Sequence, residues 1–405
     1  MTDALKARDG KDVEEAVRWA LAEGRALEVV GRGSKRTLGR PSQSDITLDL
    51  SGLTGVTLYE PDELVLSALA GTPMAEIEAL VAAKGQQLAF EPMDYGPLLG
   101  GPVGSGTLGG ALSANLAGPR RIKAGAARDH FLGVSAVSGR GETFKSGGRV
   151  VKNVTGYDLC KLLAGSFGTI AAMTEVTIKT LPRPETEETV MILGLDDTAA
   201  NRAMSAALAS SCDVSAAAHL PAALVMYFDG LHAMQAATAF RIEGFAPSVR
   251  HRKVALTALL QSFGPMEQVD DIHSRALWRS VRDVQPFSAG APSADQPLWR
   301  VSTAPARGRE LTATMIPGAQ WFYDWGGGLI WIAMPPSDDG GAATIRRAVG
   351  SVGGHAMLVR APAALRAAVD VFEPQPAALA AVTKRVKESF DPKGVLNPGR
   401  MWAGV

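Results

Sequence analysis

The chain has 405 residues, 46% of them hydrophobic, which suits two or three domains with sizeable cores. Its 41 basic residues balance 41 acidic ones, so the charge makes no case for nucleic acid or an anionic membrane as partner. No apolar run approaches the ~18 residues that cross a bilayer, and Met1-Thr2-Asp3-Ala4-Leu5-Lys6 lacks the apolar core of a signal peptide, so a cytoplasmic chain is expected.

Val13, Ala16, Val17, Ala20 and Leu21 recur at helical spacing and predict a first helix, with Asp12 as N-cap and Gly24 as its stop. A strand at 27–30 runs into the glycine-rich turn 31–39, and 46–50 alternates like a half-buried strand. This opening α/β piece is too small for a large core of its own. A strand at 64–70 precedes a helix at 73–84, with Thr72 as N-cap, Pro73 at its first position and Gly85 past its end. The glycine-rich run 100–110 follows, and a helix opens at Ala111. Strands at 131–137 and 142–144 flank the turn 138–141, a helix covers 157–163, and a strand at 170–181 ends at Pro182. A boundary is natural at 182–188. Beyond it the chain is Ala-rich, with helices at 199–209 and 254–263, strands at 329–333 and 356–359, and most of the tryptophans. A helix at 381–390 and the turn 391–400 close the chain.

Glycines at this density imply backbone pressed against something large, and a helix opening after them favours an anion such as a diphosphate. Gly104-x-Gly106-x-x-Gly109 matches the Rossmann fingerprint literally, but the fingerprint must follow a buried strand. Here Pro97 and Pro102 precede it, which argues against a central strand and a nicotinamide fold. No Walker A sequence occurs. Two glycine-rich turns some distance apart suit two subdomains that clamp one extended dinucleotide.

Gly31-Arg32-Gly33-Ser34, Gly106-Thr107-Leu108-Gly109-Gly110 with Ser113-Ala114-Asn115, Lys152 to Leu159 with Leu163 to Ile170, and Asn397-Pro398-Gly399 together resemble a known pattern. It is that of flavoproteins of the vanillyl-alcohol-oxidase (PCMH) type. Trp278-Arg279-Ser280-Val281-Arg282-Asp283, Leu298-Trp299-Arg300 and Asp324-Trp325-Gly326-Gly327 narrow the resemblance to the FAD-binding E subunits of bacterial three-subunit glycolate oxidases, also called glycolate dehydrogenases. The resemblance implies an α+β fold. Its parts are an FAD domain at 1–185 with subdomains at about 1–55 and 56–185, an α+β cap for substrate or partner at 186–370, and a segment 371–405 returning to the FAD.

It further implies FAD contacts from Gly31, Arg32, Gly33, Ser34 and Lys35, and from Gly106, Thr107, Leu108, Gly109, Gly110, Ser113 and Asn115. The third signature adds Lys152, Tyr157, Gly165, Gly168, Thr169 and Ile170, and the tail adds Asn397. Glycine amides and the Ser34, Thr107 and Ser113 hydroxyls are suitable donors for diphosphate oxygens, and Lys35 and Arg36 offer charge to them. The first loop has no His or Cys, to which some relatives attach flavin, so the FAD is expected to be non-covalent.

Two cysteines, Cys160 and Cys212, are too few for an iron–sulfur cluster and read as core thiols. The six histidines (His130, His219, His232, His251, His273, His355) stand apart, and no metal site is expected. Arg282 and Arg300 are candidates for gripping a substrate carboxylate; the alternative for each is an ion pair or a cation–π contact with nearby tryptophan.

The resemblance thus implies an FAD subunit of a complex that oxidises glycolate, and by extension D-lactate, to the 2-oxo acid. Its implied partners are a catalytic FAD subunit and an iron–sulfur subunit through which electrons leave. Any membrane contact would be peripheral, through those partners at the inner face. Two alternatives stay open: a self-sufficient FAD-dependent 2-hydroxy-acid or alcohol dehydrogenase, and a non-catalytic assembly subunit with a degenerate flavin site.

Overall fold

The computed structural model describes residues 3–149, 156–231 and 234–405. They form two compact units of mixed helix and sheet. The first comprises Met1–Ala117, Gly125–Arg183 and Pro374–Val405, and the second Gly118–Ala124 and Pro184–Glu373. A single cut near residue 185 would leave 118–124 with the first unit. The structure assigns that segment to the second, because Arg120 pairs with Glu243 and the Trp325 indole N–H donates to the Gly118 carbonyl at 3.0 Å.

In the first unit, β1 (Ala4–Lys6), β2 (Leu27–Val30) and β3 (Ile46–Asp49) make a parallel sheet with β3 in the centre. The helix Gly10–Glu23 joins its core through Val13, Ala16, Val17 and Ala20. Asp9, not Asp12, caps that helix by accepting the Lys11 and Asp12 amides, while the Asp12 carboxylate is taken by Arg8. Gly24 ends it in the left-handed conformation, as the sequence indicates. The core of this small sheet is shared. Val13, Val17, Leu27 and Leu48 pack with Val137 and Ala172 of the neighbouring sheet and with Val395 and Leu396 from the C-terminal segment. Full burial of two such tail side chains is worth on the order of 3–6 kcal/mol.

The second sheet of this unit joins β4 (Val56–Glu60), β5 (Val65–Leu69), β7 (Phe131–Ser138), β8 (Thr143–Gly147) and β9 (Ala171–Lys179) in the antiparallel order β4-β5-β9-β7-β8. A short ladder pairs β6 (Gln86–Gln87) with β10 (Leu181–Pro182). Strands β1 and β4 have no counterpart in the sequence reading. Both are short, and their side chains are largely exposed, so no apolar alternation marks them. The helix Met74–Ala82 starts after Pro73, and Thr72 does not cap it. Its hydroxyl instead donates to the Leu69 carbonyl at 2.6 Å and accepts from the Gly55 amide at 3.0 Å.

The second unit is built on one antiparallel sheet of eight strands: β11 (Thr186–Leu193), β12 (Ala216–Leu220), β13 (Ala237–Gly244), β14 (Met266–Val269), β15 (Leu298–Ser302), β16 (Gln320–Asp324), β17 (Leu329–Ala333) and β18 (His355–Arg360). Their order is β14-β11-β13-β12-β16-β17-β15-β18. Helices Asp197–Leu208, Ala246–Leu260 and Asp271–Arg282 accompany it. The first starts earlier than its alanine pattern suggests because Asp196 caps it through the Ala199 amide. The second starts much earlier, with Pro247 in its first turn. Among the described residues no helix is long and apolar enough to cross a membrane.

Candidate cofactor site

The first unit contains an open cleft lined by residues from three loops. Residues 29–36, which leave β2 and turn sharply, line one part of it. Gly33 sits at φ +78°, a conformation that few side chains tolerate. Among the described residues, no protein acceptor takes the main-chain N–H groups of Arg32, Gly33, Ser34 or Lys35. Four successive donors are thereby left for a ligand, the arrangement that suits phosphate oxygens.

Thr107, Gly109, Gly110, Ser113 and Ala114 line a second part. The helix here runs Leu108–Ser113, so it begins inside the glycine run rather than at Ala111. A helix, Tyr95–Leu98, and no strand, lies just upstream, in keeping with the exclusion of a Rossmann fold. The expectation that this helix start donates to an anion fails. The Leu108 amide bonds to the Thr72 carbonyl at 3.0 Å, the Gly109 amide to the Ala70 carbonyl at 2.8 Å, and the Gly110 amide to the capping Thr107 hydroxyl at 3.3 Å. These glycines instead permit close packing. A Cβ on Gly109 would lie 2.8 Å from Ala70, and one on Gly31 would lie 2.6 Å from the Thr107 hydroxyl. The unclaimed main-chain donors are those of the 32–35 turn.

Phe167, Gly168, Ala171 and Met173 complete the lining with Leu50, Ala70 and Arg400. The turn that carries Phe167 and Gly168 is hung on the 108–113 helix, whose Leu112 and Ser113 carbonyls accept the Gly165 and Phe167 amides at 3.2 and 3.0 Å. Asn397 holds the turn from the other side. Its Nδ2 donates to the Phe167 carbonyl at 2.7 Å, and its Oδ1 accepts the Val29 amide at 2.8 Å. One buried side chain thus ties the first loop to the third.

A second staple lies behind it. The Lys387 ammonium is buried, and donates to the Thr169 carbonyl at 2.5 Å, the Leu396 carbonyl at 2.9 Å and Asp391 Oδ2 at 2.6 Å. Asp391 also accepts the Val395 and Leu396 amides, both at 2.8 Å. Burial holds the Lys387 pKa below that of an ordinary lysine, although Asp391 opposes this. As one of two lysines in an Ala-rich helix, Lys387 gave the sequence no sign of this role.

Among the described residues, Arg32, Lys35, Arg36 and Arg400 bring positive charge to the cleft. The Lys35 ammonium donates to the Ser34 hydroxyl at 3.1 Å, and it would lie 3.4 Å from a Cβ placed on Gly110. Burial pushes its pKa down to about 8; nearby Arg400 adds to the fall and Asp94 opposes it. Arg36 is spent otherwise. It donates to Glu28 Oε2 at 2.8 and 2.5 Å and to the Thr47 hydroxyl at 2.6 Å. Arg400, whose Nη2 donates to the Lys35 carbonyl at 2.7 Å, approaches the same glutamate at 3.6 Å.

The structure therefore brings Gly31, Arg32, Gly33, Ser34, Lys35, Thr107, Gly109, Gly110, Ser113 and Gly168 to one cleft. Gly106, Leu108, Asn115, Gly165, Thr169, Ile170 and Asn397 do not line it. Leu108 and Ile170 are core. The Gly106 carbonyl accepts the Met74 amide, and Asn115 Oδ1 accepts the Arg128 amide. Tyr157 is 91% exposed, just before the cap of a short helix, and is not part of the lining. Lys152 lies outside the described residues. The sequence reading missed Val29, Val30, Leu50, Ala70, Phe167 and Met173, apolar residues that nothing but their neighbours in sequence could have flagged.

In the second unit, Arg282 forms a two-pronged pair with Asp283 at 2.9 and 2.7 Å, so it offers no spare charge for a carboxylate. The Arg300 guanidinium lies over Trp325, 5.0 Å from the ring centroid. His219 is buried, bonded to Thr238 at 2.9 Å and 3.3 Å from Asp197. Among the described residues no three His, Cys, Asp or Glu side chains are grouped to hold a metal ion.

A family profile described as an FAD binding domain matches residues 4–147, which include the first two glycine loops. The chain is 33% identical over 390 residues to "Glycolate oxidase subunit GlcE" of Escherichia coli (strain K12), covering 96% of each protein. It is 28% identical over 273 residues to "Glycolate oxidase subunit GlcD" of Bacillus subtilis (strain 168), covering 67% of this chain and 53% of that one. A D-lactate dehydrogenase of Archaeoglobus fulgidus is 27% identical over 44% of this chain and 38% of its own. Among solved structures, 4-ethylphenol oxidase from Gulosibacter chungangensis superposes with a TM-score of 0.70, covering 99% of this chain and 89% of that one at 13% identity. Alkyldihydroxyacetonephosphate synthase gives 0.68 over 98% and 76% at 14% identity, and these two likenesses speak for the fold alone. With this fold, these loops and similarity along nearly its whole length, the chain belongs to the GlcE family of glycolate oxidase subunits, which are FAD-linked oxidoreductase components.

Proposed function

We propose that this chain is the FAD-holding GlcE-type component of a glycolate-oxidising complex, and that its FAD sits non-covalently in the cleft lined by residues 29–36, 107–114 and 167–173. The observation that carries the reading is the row of four unclaimed amides at Arg32–Lys35 beside the Lys35 ammonium. These residues would hold the diphosphate, with Ser34 and Ser113 as further donors. Gly31, Gly110 and Gly168 let the loops pack closely on Thr107, Lys35 and Asn397, and Asn397 keeps the first and third loops in register. This fit disfavours a degenerate flavin site. Among the described residues no His or Cys lines the cleft, which is in line with non-covalent binding.

Bound flavin supplies a hydride and electron acceptor. The chain's own residues would fix its phosphates, and the diphosphate would keep Lys35, the lining lysine with a lowered pKa, protonated rather than free to act as base. Glycolate oxidation therefore needs a second flavoprotein subunit, and an iron–sulfur subunit to take electrons onward. The test is anaerobic mixing of the FAD-loaded chain with glycolate. The flavin of the isolated chain should stay oxidised, then bleach once subunits co-purified from the native cell are added. Rapid bleaching of the isolated chain would refute dependence on partners.

A further inference from the structure

Strand β1 lies at one side of the small parallel sheet, and among the described residues no strand pairs with its outer edge. The Asp3 carbonyl accepts the Thr47 amide and the Ala7 amide donates to the Asp49 carbonyl, both at 3.0 Å, so alternate residues turn their main chain inward to β3. The main-chain groups of Ala4 and Lys6 lie between those residues and face outward. All three residues of the strand are exposed. A free edge of this kind is a template for another strand.

An open groove runs beside that edge, between β1 and the helix Gly10–Glu23. Leu5, Ala16, Trp19 and Leu48 give it an apolar wall. Leu5 stands next to Leu48, on the face whose core holds the helix. Leu5 is 36% exposed and Trp19 40%, and the Trp19 indole N–H has no acceptor among the described residues. A large aromatic side chain left half-open with an unused donor is the kind that anchors interfaces. The charges of the groove cancel, because Lys6 and Arg8 stand against Asp12 and Glu15. Two copies of this patch therefore meet without net repulsion, whereas a strongly charged partner gains nothing from it.

The patch also complements itself in shape, as an interface between identical subunits must. A two-fold axis through Leu5 sets Ala4 opposite Lys6 of a second copy, and Lys6 opposite its Ala4. Both outward residues then form hydrogen-bonded pairs, and the two Leu5 residues take the narrow position between them, with Cα atoms about 4.5 Å apart. That axis is perpendicular to the sheet, so the helices of both copies stay on one face. Each Leu5 then enters the groove of the other copy beside Trp19. We infer that the edge of β1 and the groove beside Trp19 form an interface between two copies of this chain, which joins their three-stranded sheets antiparallel through Ala4–Lys6. A three-residue strand and one tryptophan bury less than the roughly 1,200 Å² of a tight complex, so the association is weak, with a Kd of about 10–100 μM.

Sedimentation velocity of the full-length, FAD-loaded chain from about 1 to about 300 μM should show the mass move from one chain toward two. Leu5→Glu sets two carboxylates face to face at the axis, and Lys6→Pro removes an outward amide while sparing the inward bonds of β1. Each should weaken association at least about tenfold. Val254→Glu, an exposed change in the helix Ala246–Leu260, should leave it as it is. Flavin content per chain and thermal unfolding should match wild type in every variant, which shows that each is folded. A chain that stays single across the range, or association that survives both β1 variants or is lost equally in Val254→Glu, would overturn the inference. So would a chain that is single on its own but sheds subunits co-purified from the native cell when Leu5→Glu is made, because the groove would then belong to one of them.

Discussion

Replacing Lys35 by methionine probes the cofactor site where charge and burial meet. Burial in the cleft pushes this ammonium from an ordinary 10.5 down to about 8. At 1.36 kcal/mol per pH unit, that is roughly 3 kcal/mol against the charged form. A diphosphate against Lys35 reverses the balance, because it interacts with the charged form alone. Binding then draws in a proton at any pH above about 8. Below that pH the lysine is already charged and affinity is flat. Above it the Kd for FAD should weaken by up to about tenfold per pH unit, until the lysine pKa in the complex is reached. Fluorescence titration of apoprotein with FAD from pH 7 to 9 should therefore show a Kd nearly tenfold higher at pH 9. Lys35→Met should bind about tenfold or more weakly at pH 7, the worth of one charged hydrogen bond, and lose the pH dependence. A wild-type Kd that stays level from pH 7 to 9, or a variant with the wild-type profile, would refute the placement of the diphosphate at Lys35. In the apoprotein the same group acts on stability with the opposite sense. Its lowered pKa costs stability below pH 8, and that cost is relieved as pH rises from about 8 toward 10.5.

Gly31→Ala would set a Cβ 2.6 Å from the Thr107 hydroxyl and 3.1 Å from its methyl, so FAD affinity should fall by about tenfold or more with the fold retained. Thr107→Ala in the same chain should restore part of that affinity, at a cost of about 1 kcal/mol in stability for the lost cap; equilibrium FAD titration and circular dichroism separate the two effects. Lys387→Met leaves the Asp391 carboxylate buried without its cation, and should destabilise the first unit by about 3–5 kcal/mol. Thermal unfolding followed by flavin release should show this, and Lys387→Met/Asp391→Asn should unfold at a higher temperature than Lys387→Met alone.

The glycine loops were legible because close approach and left-handed backbone demand glycine whatever the surroundings. Gly31, Gly109 and Gly168 each have a neighbour that a Cβ would strike. What the loops do was less legible. Thr107 stands just before Leu108-Gly109-Gly110 as an N-cap should, yet the partners that use up those amides, Thr72 and Ala70, are remote in sequence. Asn397 was found through its Asn-Pro-Gly setting, but its work is to join Val29 to Phe167, which only the folded chain brings within reach. Lys387 and Arg120 left no local trace. The first looks like any helix lysine, and the second belongs to a segment whose allegiance to the other unit is decided by Trp325, some two hundred residues on.

The central claim is that FAD rests, without a covalent bond, on the amides of Arg32–Lys35. The most direct measurement is flavin content before and after acid precipitation of the purified chain, loaded with FAD where needed. About one FAD per chain should be found, all of it in the supernatant. A chain that takes up no flavin, or a pellet that stays yellow, would contradict the account.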